Sequence, residues 1–181
     1  MKFFLGTFLL VFMIQSSTIT KLDFGKEKFG KNWRVVNDGV MGGLSQGNLT
    51  FTNNSLIFKG KVSLENNGGF SSFRSPFAKI DLSGFKQVKM RVRTNGCKFG
   101  FNFSVDPRFY IPNYKKVFST KPNQWQVFTF QIRDFDQYRI GEPTGRKIPT
   151  ELLSKIIRMG FITNFKEEKA FELEVDYLEF S

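Results

Sequence analysis

Histidine is absent from these 181 residues. Its absence removes the commonest general base, the Ser-His-Asp and Cys-His nucleophile systems, and the usual ligand of zinc, copper and non-haem iron. Cysteine occurs once, as Cys97, so no disulfide closes within the chain. The strand-like neighbours of Cys97 mark it as a small packed residue rather than a reactive thiol. Long apolar runs are missing too. Residues 3–14 are apolar, follow Lys2, and lead into Gln15, Ser16, Ser17 and Thr18. That run falls short of the roughly 20 residues that cross a bilayer, and its order of basic start, apolar centre and small residues is that of a secretory signal. We therefore expect a signal peptide over residues 1–18, export to the periplasm or exterior with membrane association as the alternative, and no transmembrane span in the mature chain. One folded domain is expected over residues 19–181. No cysteine follows the apolar run, which excludes lipid attachment there.

Phenylalanine is abundant, at 24 residues, within an ordinary hydrophobic fraction of 40%. A core rich in flat rings favours packed sheets over helix bundles. The net charge is +11, and it is uneven: residues 86–158 carry 15 Lys and Arg against 5 Asp and Glu. The C-terminal stretch is acidic, with Glu167, Glu168, Glu172, Glu174, Asp176 and Glu179. A polarised surface of this kind steers acidic partners, and it equally describes the solvated face of a basic protein. The charges are scattered and no nucleic-acid reading motif occurs, so no specific nucleic-acid partner is expected.

Several segments alternate apolar and polar residues with a period of two, the signature of strands with one buried face. Residues 88–93 and 99–105 flank Asn95-Gly96 and predict a hairpin, as do residues 48–52 and 56–59 around Asn53-Asn54. Residues 125–130 and 171–177 repeat the pattern, and residues 161–165 add a fully apolar or edge strand. One short helix is expected over residues 150–157, with Thr150 capping it after Pro149. Residues 134–149 read as a long irregular loop available for binding. Such strands, joined by Gly, Asn and Pro turns, predict an all-β antiparallel sandwich or jelly roll.

Two glycine-rich motifs stand out. The first runs Trp33-Arg34-Val35-Val36-Asn37-Asp38-Gly39-Val40-Met41-Gly42-Gly43-Leu44-Ser45, and lacks both the glycine spacing and the βαβ setting of a dinucleotide fingerprint. The second runs Glu65-Asn66-Asn67-Gly68-Gly69-Phe70-Ser71-Ser72-Phe73-Arg74. Their glycines permit tight turns and close backbone approach. Asp38 is a hydrogen-bond acceptor for a ligand or for backbone, and Arg74 is its expected ion-pair partner. A structural reading, turn chemistry plus a packing ion pair, stands beside the reading of a ligand site.

In this order, and followed by residues 82–93 and Trp125-Gln126-Val127-Phe128, the motifs resemble the complex I intermediate-associated protein 30 family over residues 22–180. The resemblance rests chiefly on Asn37 to Ser45 and on Asn67-Gly68-Gly69-Phe70. It implies a galactose-binding-domain-like β-sandwich. From the family's eukaryotic members it also implies an assembly chaperone for respiratory NADH:ubiquinone oxidoreductase, with respiratory-complex subunits as protein partners. The sequence departs from mitochondrial members in its secretory-type start and in lacking a long Arg-rich transit segment.

The leading expectation is a non-catalytic protein-interaction domain without cofactor or metal. The alternative is a carbohydrate-binding module of the envelope or exterior. Candidate ligand residues are Asp38, Asn66, Arg74 and Tyr138, while Trp33, Asn37, Gly39, Gly42, Gly43, Gly68, Gly69, Phe70 and Trp125 are motif residues with structural roles. Trp125 lies in an alternating segment and is expected in the core more than as a stacking platform. Hydrolysis by Asp134, Asp136 and Glu142 is a third reading, which depends on a carboxylate separation that sequence does not set.

Overall fold

A computed structural model describes residues 21–181; the expected signal segment lies outside the described residues. The chain forms strands β1 (Lys21–Asp23), β2 (Arg34–Asn37), β3 (Gln46–Phe51), β4 (Leu56–Val62), β5 (Ser71–Arg74), β6 (Gln87–Thr94) and β7 (Phe99–Ser104). It continues through β8 (Asn113–Phe118), β9 (Gln126–Gln131), β10 (Asp136–Arg139), β11 (Glu142–Lys147), β12 (Arg158–Thr163) and β13 (Lys169–Phe180). Two antiparallel sheets result. One has the order β3-β4-β13-β6-β9, with β1 also paired to β13; the other has seven strands in the order β11-β10-β8-β7-β12-β5-β2. This is the expected all-β antiparallel sandwich.

The inward positions of both sheets meet in an aromatic interlayer. From the seven-stranded sheet come Phe73, Phe99, Phe101, Phe103 and Phe161, and from the opposite sheet Phe58, Met90, Val92, Phe171 and Leu173, all buried. Phe73 stacks on Phe161 with ring centroids 5.1 Å apart, and Phe103 stacks on Phe135 at 4.6 Å. Trp33 joins the same layer against Phe24 and Phe73. Edge and offset contacts of this kind add to the burial of large apolar area.

One expected hairpin holds, and four other sequence expectations change. The β3–β4 hairpin forms, with Thr50 opposite Ile57. Residues 88–93 and 99–105, however, do not pair with each other: β6 lies between β13 and β9, while β7 lies between β12 and β8. Asn95-Gly96 is a corner between the sheets. Asn95 fixes it, accepting from the Glu172 backbone N–H and donating to the Ala170 carbonyl at 3.2 Å each. Residues 134–149 are not an irregular loop. They form the β10–β11 hairpin, whose turn Ile140-Gly141 has φ +49° and +84°, the paired positive values of a two-residue hairpin turn. The exposure of every β11 residue leaves no alternation to read. Finally, the helix is a 3-10 helix, Thr150–Lys155. Thr150 is its first residue, Pro149 stands at the cap, and no side chain caps it. Of the two readings of residues 161–165, the edge strand is set aside: they fall largely in β12, which is central, between β7 and β5. Among the described residues no helix is long and apolar enough to cross a membrane.

Removing a ring from the interlayer tests its weight. Phe73→Ala is expected to lower the unfolding free energy by about 4 kcal/mol, against less than about 0.5 kcal/mol for Val127→Ala on the exposed face. Denaturant titration of both variants checks this, and equal effects would contradict it.

Candidate functional site

The two glycine motifs meet around one carboxylate. Asp38 is buried, and its Oδ2 accepts from Ser45 Oγ at 2.6 Å, the Gly69 backbone N–H at 2.7 Å and the Phe70 N–H at 3.2 Å. Its Oδ1 accepts the Ser45 N–H at 3.1 Å. Burial pushes this carboxyl up, but the hydrogen bonds from Ser45, Gly69 and Phe70 outweigh it and hold it below its ordinary value. A side chain has no room here: a Cβ on Gly43 would lie 2.4 Å from Asp38 Cγ, and one on Gly68 2.8 Å from Asp38 Oδ2. Ser45 Oγ in turn accepts the Ser63 N–H at 3.0 Å. Asn37 Oδ1 accepts from Ser71 Oγ at 2.6 Å, and Asn66 donates its amide to the Gly42 carbonyl at 3.0 Å. Gly42 itself takes the left-handed conformation, φ +85°. Asp38 and Asn66 therefore tie two loops together, and the expected Asp38–Arg74 ion pair does not form.

Arg74 lies at the far end of β5, on the outward face, where its Nε donates to Ser72 Oγ at 3.0 Å. Beside it on the same sheet stand Arg158 of β12 and Lys115 of β8. Strand register sets these neighbours: Arg74 is opposite Gly160, which is opposite Asn102, which is opposite Lys115. Two strand-interior glycines clear their path. A Cβ on Gly100 would lie 2.4 Å from Lys115 Cδ, and one on Gly160 would lie 2.6 Å from the Phe73 carbonyl and 3.1 Å from Arg74 Cγ.

None of the three cations has a carboxylate partner among the described residues. Rings, an amide and a hydroxyl hold them instead. The Arg158 guanidinium lies 3.4 Å from the Phe77 ring centroid, and Lys115 Nζ lies 3.8 Å from that of Tyr138 while donating to Asn164 Oδ1 at 2.6 Å. The buried Nε of Arg158 has no hydrogen-bond partner. Burial, only partly opposed by Glu142, pulls the Lys115 ammonium down to about 8, and burial together with the charge of Arg158 lowers Arg74. Cation–π contact holds a positive charge in place without neutralising it. The groove over these residues encloses about 170 Å³, and its rim carries Phe109, 76% exposed, on the loop between β7 and β8. Arg74 and Arg158 also border a second depression of about 380 Å³, flanked by Asn32, Arg34 and Pro76.

The opposite sheet treats its cations differently. On its outward face Arg93 pairs with Glu174, Arg91 with Asp176, and Lys89 with Glu179 at 3.4 Å. Trp125 is not in the core: it is half-buried, with the Arg91 and Arg93 guanidinium groups 4.5 and 5.3 Å from its ring. Two of the three carboxylates of the expected irregular loop are held by lysines. Asp136 contacts Lys116 and Lys147, and Glu142 contacts Lys166.

Residues 22–175 match the family model described as complex I intermediate-associated protein 30 (CIA30). The chain belongs to the CIA30 family. No curated protein matches it by sequence. Solved structures resemble the CIA30 domain in fold. The family 11 carbohydrate-binding module of cellulosomal cellulase Lic26A-Cel5E of Clostridium thermocellum superposes with a TM-score of 0.64 at 12% identity, covering 91% of this chain and 97% of that one. The family 11 module from the same organism in complex with a β-1,3-1,4-mixed-linked tetrasaccharide gives 0.60 at 13% identity, covering 90% and 97%. The glycoside hydrolase domain of Endo-D from Streptococcus pneumoniae R6 gives 0.51 at 16% identity, covering 82% and 21%. At such identities the likeness is one of fold.

Of the four candidate ligand residues, the structure brings Arg74 and Tyr138 to one groove and places Asp38 and Asn66 in the loop staple. Sequence reading missed Lys115, Arg158, Phe77 and Phe109. The available signal was the pair of strand-interior glycines, Gly100 and Gly160, which mark close approach by a neighbour.

Asp38→Asn is expected to destabilise the CIA30 domain by about 2–3 kcal/mol at neutral pH, because a buried charged acceptor of several N–H groups is lost. The native carboxyl lies below its unfolded value of about 3.9, so its contribution is complete above that value and disappears as pH falls through the native one. Denaturant titrations at pH 7 and in acid should therefore show the gap between the two proteins narrowing. A gap independent of pH would contradict the staple.

Proposed function

We propose that this CIA30 domain is a non-catalytic binding domain that holds an acidic partner on the outward face of its seven-stranded sheet. The observation that carries this reading is the contrast between the two faces. On one, the β6 cations Lys89, Arg91 and Arg93 are paired with carboxylates of β13, whereas on the other Arg74, Arg158 and Lys115 are partly buried and without an ion pair among the described residues. Burying positive charge without a counter-charge is unfavourable, and sites that bind ligands are where folds tolerate it. Family membership supports a protein partner in an assembly role, with an acidic surface of a respiratory-complex subunit meeting the cationic face. The carbohydrate reading draws support from the fold shared with carbohydrate-binding modules and from the groove itself. Export, expected from residues 1–18, forms part of the carbohydrate reading.

Affinity purification of the tagged full-length chain from its own cell, with cross-linking and parallel glycan release, tests the proposal. The Arg74→Gln/Arg158→Gln variant is expected to lose the partner that the wild-type chain recovers, while its melting temperature stays within a few degrees. Recovery of the same partners by both proteins would show that another surface binds.

A further inference from the structure

We infer that the ligand of the groove is a carboxylate-bearing glycan chain, held with one uronate carboxylate on the Arg74–Arg158 pair and adjoining sugar rings in the two depressions on either side. This rests on the acidic-partner reading above and names the partner's chemical class.

The geometry separates a sugar chain from an acidic protein in three ways. First, the backbone under the groove is fully engaged. β7 lies between β8 and β12, and β12 lies between β7 and β5, so the strands beneath the groove offer an extended peptide no edge to pair with; the free edge of this sheet, β2, borders only the second depression. Second, beside the Asp106–Arg108 ion pair the groove is lined by short neutral donors and acceptors, Asn102, Ser104 and Asn113. These suit a ligand studded with hydroxyl groups, which a few placed polar side chains orient. Third, the site is a pair of small depressions sharing the two arginines, with volumes of about 170 and 380 Å³. A stable protein–protein interface instead covers about 800 Å² per partner around an apolar core.

Arginine favours a carboxylate in this setting because its planar fork matches the two oxygens. The Phe77 ring covers one face of the Arg158 guanidinium, which leaves its edge for ligand oxygens. Phe109 supplies an exposed ring at the rim against which the apolar face of a sugar can lie. Lys115 adds a third positive charge below about pH 8.

The full-length chain should be titrated with three soluble polymers of similar length: polygalacturonate, its carboxyl-reduced neutral counterpart, and dextran sulfate. Binding to polygalacturonate is expected to exceed binding to the other two by about tenfold or more, and Arg74→Gln and Arg158→Lys should each weaken it by about tenfold. Phe109→Ala should weaken it with no change in melting, and Arg91→Gln on the opposite face should leave it within about twofold. Thermal melting of each variant separates loss of binding from loss of fold. Equal affinity for dextran sulfate and polygalacturonate would overturn the carboxylate assignment. No binding to any polymer would overturn the glycan inference. In that case, loss of an acidic protein partner by the Arg74→Gln/Arg158→Gln variant would leave the acidic-partner reading standing, and retention of that partner would remove both.

Discussion

Phe73 and Phe161, stacked at 5.1 Å on the adjacent strands β5 and β12, sit at the centre of the aromatic interlayer. Side chains alternate across a strand, so fixing these two rings inward fixes their neighbours outward. The residue after Phe73 is Arg74, and the residue before Phe161 is Gly160, the glycine that leaves room for Arg74 to lie across the sheet. A slip of one residue in either strand would expose a ring and bury a guanidinium. The core packing and the cationic groove are consequently two consequences of one register.

The same alternation operates on both sheets, yet their outward faces differ in charge balance. β13 is the long central strand of its sheet, and its acidic residues stand beside the basic residues of β6, giving ion pairs that are largely solvated and contribute modestly. β12 occupies the corresponding central place in the other sheet, but its outward positions are Arg158, Gly160 and Ile162, with no carboxylate among them. The basic excess of residues 86–158 therefore divides into a neutralised part and an unpaired part. The division follows from which strand each basic strand lies beside.

The segments on which the family resemblance chiefly rests, Asn37–Ser45 and Asn67–Phe70, act at a distance from the groove. Asp38 gathers Ser45, Gly69 and Phe70, which anchors the start of β5, and Arg74 stands at the end of that short strand. Glycines that in sequence permit tight turns and close backbone approach cradle a carboxylate of the chain itself. The motif that identifies the family thus supports the strand carrying the candidate binding residue and does not line the groove.

The all-β class and the β3–β4 hairpin were legible in the sequence, because alternation and turn chemistry are local properties of neighbouring residues. The aromatic composition already called for packed sheets. Local signals could not say which sheet a strand joins, so Asn95-Gly96 read as a hairpin where the chain turns a corner, and the wholly exposed β11 read as loop. Arg74 and Tyr138 could be singled out by type, but Lys115 and Arg158 lie far from both in sequence and come beside them only through the pairing of β8, β7, β12 and β5. Within the strands the sequence determined which residues point inward, since burial of rings leaves them no other face there; Trp125, just outside β9, escapes that rule. Only the tertiary structure decided which outward charges have partners, because neutralisation depends on the neighbouring strand and strand order is set by long-range packing.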